Sequence, residues 1–465
     1  MSQGYEYDVV IIGSGPGGYV AAIRASQLKL RVAVIEQGKI GGVCLNIGCI
    51  PSKALISQAE TYRSRSKLEK MGLKIDDSGF DYEQVYKASR KAADTLSRGV
   101  AYLLKKNKID LIAGTARLSS EHEVTVDGER KVTAGSIILA TGSRPRSIPG
   151  FDFDEETVLS SDGALMLKKV PPRVLILGAG AIGAEFAHIM NGFGSEVHLV
   201  EMVDRILPNE DAEVTSVLRR SFLKRGIRIQ TSTRALSYEK NGSEVEVELE
   251  SASGEKSSVT VDKILVVTGR VPNTEDIGLE KLGISTVKGF VSVGDYGQTE
   301  VKSVYAIGDI VATPLLAHVA SKEGEIAVEH IAGHKPRMAR LDSMSFPGAV
   351  YCEPQLASFG LTEEQALQKG VSFKKATFPY RGVGKAVAIE ESEGMAKVLV
   401  DPDTKEIIGV HLVGAEATEL IHEFLLARTS ELLPEDLATM VHAHPTLSEL
   451  VMEAARAAEG WAIHI

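Results

Sequence analysis

Short apolar runs rich in valine and isoleucine alternate with longer stretches of helical apolar spacing, and this alternation predicts an α/β chain. Two of the runs end alike. YDVVIIGSGPGG, Tyr7 to Gly18, is echoed by PRVLILGAGAIG, Pro172 to Gly183, with Gly178 standing 165 residues after Gly13. In each copy a further run stops on an acid 23 residues after the first glycine: Glu36 closes RVAVIE and Glu201 closes EVHLVE. Three more runs end at glycine turns, SIILATGS at Ser136 to Ser143, KILVVTGR at Lys263 to Arg270 and VYAIGDI at Val304 to Ile310. One unit opens the chain, a second lies inside it, and a strand like those of the first returns afterwards. That order predicts that the second unit is inserted into the first.

The repeated pattern carries the chemistry of dinucleotide binding. Gly13 and Gly178 permit a tight turn, Gly15 and Gly180 let a pyrophosphate approach backbone at a helix N-terminus, and Gly18 and Gly183 bring helix against strand. The acids Glu36 and Glu201 then accept hydrogen bonds from an adenosine ribose. A carboxylate there repels a 2′-phosphate, so Glu201 favours NAD over NADP if the second copy binds the nicotinamide. One glycine-rich turn with an incidental acid is commonplace; two at one spacing are not.

Composition narrows the setting. At 465 residues, 44% hydrophobic and 25% charged, the chain has material for about three soluble domains. The net charge of −10 comes without basic blocks, which argues against nucleic acid, and no apolar run approaches the roughly 18 residues of a membrane span. Three cysteines form no secreted framework, and the chain reaches a strand at once with no leader pattern, so a reducing, cytoplasmic setting is expected.

Two of the three cysteines lie in GGVCLNIGCIPSK, Gly41 to Lys53, five residues apart. A bridge closing so short a loop adds only about 2 kcal/mol in the chain-entropy model, a weak reason for having one. In a regular helix residues five apart lie about 8.7 Å apart, beyond the roughly 7 Å a disulfide tolerates, so any helix here must be distorted. Gly48 loosens the backbone, and Pro51 suits a helix just starting. The first reading is therefore a labile disulfide in redox chemistry. A zinc site is disfavoured, because only Cys352 remains and no second paired-ligand motif exists; no metal is expected. Cys352, in YCEPQ, reads as a small buried packing residue.

With GGVCLNIGCIPSKAL, two nucleotide fingerprints, ATGS, AIGD and the C-terminal HAHPTLSE at His442 to Glu449, the chain resembles the flavoprotein pyridine nucleotide-disulfide oxidoreductases over essentially its whole length. The resemblance implies two Rossmann-like domains, the NAD domain inserted into the FAD domain, followed by a C-terminal α+β dimerisation domain. The expected boundaries are 1–149 for FAD, 150–272 for NAD, 273–343 for a central domain completing the FAD site and 344–465 for the interface. It also implies that the first fingerprint, with Glu36, Thr141, Gly142 and Asp309, holds FAD, and the second, with Glu201 and Gly269, holds NAD. Cys44 matches the thiol that meets a dithiol substrate and Cys49 the thiol against the flavin. Lys53 matches a lysine near the flavin's reactive nitrogen, paired with Glu185. His444 matches the acid-base histidine, oriented by Glu449, where thiol exchange needs a base near neutral pH. The implied activity is oxidation of dihydrolipoamide borne on an acyltransferase or carrier protein, by a homodimer with shared sites.

Some positions depart from the family. Val43 stands where threonine is usual, and GVGKAVA around Lys385 differs from the asparagine and arginine common there. Glutathione and trypanothione reductases favour a second lysine after the redox proline and cations for the NADP phosphate, where this chain has Ser52 and Glu201; mercuric reductases carry a C-terminal cysteine pair, and this chain ends GWAIHI. A redox-sensing flavoprotein without turnover would need the nucleotide sites and cysteines but no proton shuttle. The complete HAHPTLSE segment argues against it.

Overall fold

Both glycine-rich turns begin where a strand buried in all but its first residue ends. In the computed structural model, which describes residues 4–465, the chain divides into two units. The first comprises residues up to Leu55, Asp81–Arg146 and Gly269–Leu341; the second comprises Ile56–Phe80, Ser147–Thr268 and Asp342–Ile465.

The first unit is built on parallel strands in the spatial order Asp110–Ala113, Val32–Glu36, Tyr7–Ile12, Arg130–Leu139 and Val304–Ala306. Val9, Val10 and Ile11 are wholly buried, as a strand covered on both faces requires. The first half of Arg130–Leu139 pairs antiparallel with Glu123–Val126, which in turn pairs antiparallel with Ala116–Ser120. Strand order reverses between Tyr7–Ile12 and Arg130–Leu139, so a crevice opens at their carboxyl ends, where Gly13 faces Ala140. The last strand, Val304–Ala306, joins this sheet from beyond the whole of the second parallel sheet in sequence, which is the inserted arrangement expected from the order of strand ends.

The second unit holds a parallel sheet in the order Arg228–Gln230, Glu196–Val200, Arg173–Leu177, Lys263–Val266 and Val158–Leu159. Its C-terminal part is an antiparallel sheet in the order Gly348–Val350, Gln355–Gly360, Ile407–Gly414, Met395–Val400 and Lys374–Pro379, packed by helices Ala417–Thr429 and Glu449–Glu459. Phe359, Phe378, Tyr380 and Phe424 fill that core. Beside it lies Lys397, wholly buried, with Nζ 2.9 Å from both oxygens of Asp211 and 2.5 Å from Glu363. Such a cation is tolerable inside only because its charge is paired. Asp211 meanwhile caps helix Ala212–Lys224 through Glu213 N–H.

Candidate active site

The two glycine turns are near-copies. Gly13 and Gly178 have φ of +105° and +104°, and a Cβ on either would strike the facing strand, 2.3 Å from Ala140 O and 2.7 Å from Val267 O. A Cβ on Gly18 would stand 2.0 Å from Gly13 O, and one on Gly183 would stand 1.9 Å from Gly178 O, so both positions need the close helix approach only glycine allows. Gly15 and Gly180 are different: a Cβ there would meet nothing within 4 Å. They are the N-caps of helices Pro16–Gln27 and Ala181–Gly192, and neither helix has a side-chain cap. Open space over uncapped helix N–H groups fits a dinucleotide pyrophosphate. The acids close each turn alike. Glu36 Oε2 accepts from Ser14 N at 2.8 Å, and Glu201 Oε2 accepts from Ala179 N at 2.8 Å.

The cysteine segment lies over the first turn. Helix Gly42–Ile47 stops at Gly48, with φ −149° and ψ −118°, and a new helix runs from Cys49 to Lys70. The break brings the Cys44 and Cys49 Cα atoms to 4.7 Å, and the two are joined as a disulfide. The distorted helix expected from their spacing is thus a helix interrupted at the predicted glycine. A Cβ on Gly48 would stand 2.9 Å from Val43 O and 3.2 Å from Cys44 Cα, so glycine is what lets the chain fold back on the first helix here. Pro51 falls in the first turn of the new helix, where it costs no intrahelical bond, and Lys53 follows within the next turn. Asn46 Nδ2 donates to Ile40 O and Gly42 O, Arg90 Nη1 donates to Asn46 O at 2.7 Å, and Gly41 N donates to Ser14 Oγ at 3.1 Å.

Three strand ends converge in the first unit. Thr141 Oγ1 donates to Asn273 O at 2.7 Å, and Asn273 N donates to Gly142 O at 2.9 Å. Asp309 Oδ2 accepts from Ser143 Oγ at 2.5 Å. Gly308 N donates to Glu323 Oε2 at 2.7 Å; burial pushes the Glu323 carboxyl up, against the lowering effect of that N–H. Gly269 lies at φ +132°, its carbonyl accepting from Arg146 N. In the second unit, Glu185 is buried on helix Ala181–Gly192, and its Oε1 accepts from Tyr351 N at 3.1 Å.

The C-terminal segment distinguishes its two histidines. His442 has a side chain only 3% exposed, fixed between Glu423 Oε1 at 2.8 Å and Met440 O at 3.2 Å. His444 is 74% exposed, and its Nδ1 lies 3.0 Å from Glu449 Oε1. Burial raises the Glu449 carboxyl, but the Thr446 N–H and the His444 ring outweigh it and hold the group below its ordinary value. An ionised carboxylate only accepts, so the Nδ1 that faces it is a protonated ring nitrogen. Gly384, in the segment before Lys385, flanks the ring: a Cβ there would stand 3.6 Å from His444 Cε1. Cys352 is wholly buried, as expected of a packing residue, and burial drives its thiol far up, out of reach of thiolate chemistry.

Residues 7–324 match the family model described as pyridine nucleotide-disulphide oxidoreductase, and residues 346–455 match the dimerisation domain of the same family. The chain belongs to the pyridine nucleotide-disulphide oxidoreductases. A dihydrolipoyl dehydrogenase of Bacillus subtilis (strain 168) is 42% identical over 473 aligned positions, covering 99% of both chains. Among solved structures, LpdA from Mycobacterium tuberculosis superposes with a TM-score of 0.89 at 28% identity, covering 96% of this chain and 98% of that one. The HOCl-induced flavoprotein disulfide reductase RclA from Escherichia coli gives 0.86 at 26%, covering 97% and 99%. Family membership brings FAD and NAD(H) binding, and the dimerisation domain supports a homodimer. No helix among the described residues is long and apolar enough to cross a membrane.

Sequence reasoning missed Ser14, Asn46, Arg90, Ser143, Arg270 and Glu323. Each acts through a partner distant in sequence, except Asn46, whose sign was a polar side chain inside an otherwise apolar redox helix.

Proposed function

We propose that this chain is an NAD-dependent dihydrolipoyl dehydrogenase, oxidising protein-bound dihydrolipoamide to lipoamide. The observation that carries the reading is the Cys44–Cys49 disulfide, held at a helix break in the segment whose start packs on the first glycine turn. Full-length likeness to the Bacillus subtilis enzyme supports the choice of substrate. The domains divide as 1–149 and 273–343 for the FAD site, 150–272 for NAD and 344–465 for the dimer interface. FAD is held by Gly13, Gly15, Gly18, Glu36, Thr141, Gly142 and Asp309, with Lys53 and Glu185 as a pair beside it. NAD is held by Gly178, Gly180, Gly183, Glu201 and Gly269. The partner is a lipoyl-bearing acyltransferase or carrier protein, in the cytoplasm.

His444 Nε2 takes the proton of the first substrate thiol, and the thiolate attacks Cys44 Sγ. The Cys44–Cys49 bond breaks, and its electron pair leaves on Cys49 as a thiolate. The second substrate thiol attacks the substrate sulfur of the mixed disulfide, its proton passing to Cys44 Sγ as that sulfur leaves, while His444 keeps the first proton. That releases Cys44 and closes the substrate disulfide, so two electrons have passed to the protein. Glu449 holds the imidazole in the tautomer this needs and stabilises the imidazolium it becomes. When bound, FAD and NAD supply the two-electron acceptors that return the cysteine pair to its disulfide.

Steady-state turnover tests this reading: dihydrolipoamide with NAD should be oxidised efficiently, and glutathione disulfide with NADPH should be a poor pair. The reverse preference overturns it. The shared site has its own test. Chains carrying Cys49→Ser and His444→Gln are each dead as homodimers; mixed equally, half the dimers are mixed, and a shared site leaves one intact site in each. Activity should return to about a quarter of wild type. Mixed dimers verified by mass spectrometry that show no activity would place cysteine and histidine on one chain.

A further inference from the structure

Asp309 is the end of a chain of hydrogen bonds. Ser143 Oγ donates to its Oδ2 at 2.5 Å, Arg270 Nε donates to the same Ser143 Oγ at 2.7 Å, and Arg270 Nη2 donates to Ser143 O at 2.7 Å. Each residue closes one of the short strand-end motifs, ATGS, TGR and AIGD. The antiparallel pairing of Ser143–Pro145 with Arg270–Pro272 fixes the register that joins the first two. Ser143 is 2% exposed, so solvent does not compete for its hydroxyl.

Chemistry orients this chain in one direction. A guanidinium has donors only, so Arg270 occupies a lone pair of Ser143 Oγ. The single hydroxyl proton is then directed to Asp309 Oδ2. Among the described residues no donor is bonded to Oδ1, which leaves that oxygen, its carboxylate plane already set, to accept from a ligand.

We propose that Arg270 and Ser143 are positioning residues for FAD binding: they lock the Asp309 carboxylate so that its second oxygen meets the flavin coenzyme without reorganisation. The proposal rests on the reading of Asp309 as an FAD-binding acid. Its force is preorganisation in a partly buried network, where an oriented acceptor binds better than a freely turning one.

A double-mutant cycle tests it, with the FAD dissociation constant read from the flavin fluorescence released on dilution of the holoenzyme. Ser143→Ala should weaken FAD binding about tenfold, the value of one charge-assisted bond. Ser143→Thr, which keeps the hydroxyl, should stay within about threefold of wild type. In an Asp309→Ala background Ser143→Ala should add nothing, because the acceptor it acts through is gone. Losses that add in the double mutant, or an unchanged affinity in Ser143→Ala, overturn the relay. An Asp309→Ala chain with wild-type FAD affinity overturns the reading of Asp309 itself and the relay with it. Should Ser143→Ala fail to fold, Arg270→Met carries the same cycle, with an expected loss of about threefold that vanishes in Asp309→Ala.

Discussion

The turn at Gly13–Gly18 and the turn at Gly178–Gly183 share backbone angles, steric limits and a bond from an acid back to the residue after the first glycine. They differ in what covers them. Over the first, the cysteine segment packs so closely that a Cβ on Gly42 would stand 2.8 Å from Gly15 Cα. Ser14, wholly buried, stitches it down, its hydroxyl donating to Glu36 at 2.7 Å and accepting from Gly41 N. The second turn has Ala179 where the first has Ser14, and beyond Glu201 the chain exposes Met202 at 70% and Val203 at 44%. One fingerprint is roofed by the cysteine segment; the other is met instead by the loop after Glu201, Leu207 N donating to Ala179 O at 2.8 Å. On the proposed assignment, the coenzyme kept through every turnover lies beside the cysteines it serves, and the cosubstrate that leaves each cycle does not.

The sharpest way to break this comparison is to fill the third glycine of each turn. Gly18→Ala and Gly183→Ala both drive a Cβ to about 2 Å from a carbonyl oxygen and force helix from strand, a cost of roughly 1–3 kcal/mol or more. Their consequences should separate. Gly18→Ala should yield protein largely depleted of flavin. Gly183→Ala should stay yellow and be reduced by dihydrolipoamide at the wild-type rate in stopped flow, while kcat/KM for NAD falls at least about a hundredfold. If Gly183→Ala also sheds its flavin, the two turns do not serve separate groups.

A smaller effect sharpens the same contrast. Glu201→Gln removes the charge that opposes a 2′-phosphate, so the preference for NAD over NADP should narrow by about tenfold to a hundredfold. Glu36→Gln is the same change in the covered turn, and it should weaken FAD retention while leaving the NAD-to-NADP ratio where it was. Comparable kcat/KM with both nucleotides in the unsubstituted protein would remove the role given to Glu201.

What could be read in advance was whatever the chain encodes within a few residues. The glycine turns, the acid 23 residues on, the broken helix between Cys44 and Cys49, and the His444–Glu449 pair are all short-range patterns whose physical meaning is local. The inserted order of the two sheets followed from the sequence positions of strand ends. Contacts made across long separations stayed hidden. Ser143 meets Asp309 across 166 residues and Arg270 across 127, with nothing at any of the three positions announcing the others. Lys397 is the harder case, because it lies in a run, MAKVLV, whose lysine reads as an exposed strand residue. Only the folded chain brings Asp211 and Glu363 to it and makes its burial affordable.

The smallest predicted effect isolates the stitch itself. Ser14→Ala removes one hydroxyl and with it two bonds, to Glu36 and from Gly41 N–H, while the backbone bond from Ser14 N to Glu36 remains. A hydroxyl bond to a carboxylate is worth about 1.5–3 kcal/mol, and the buried Gly41 N–H loses its partner, so the net cost should be about 2–3 kcal/mol. It should appear as a melting temperature of the holoenzyme lowered by a few degrees and FAD release hastened several-fold, with NAD affinity unchanged. The reciprocal change, Ala179→Ser, offers a hydroxyl to Glu201 but has no packed cysteine segment to tie down. It should move stability by no more than about 0.5 kcal/mol and leave FAD release untouched. Were Ala179→Ser to slow NAD release as strongly as Ser14→Ala speeds FAD loss, the hydroxyl would be acting on the acid alone, and the roof would have no part in holding the coenzyme.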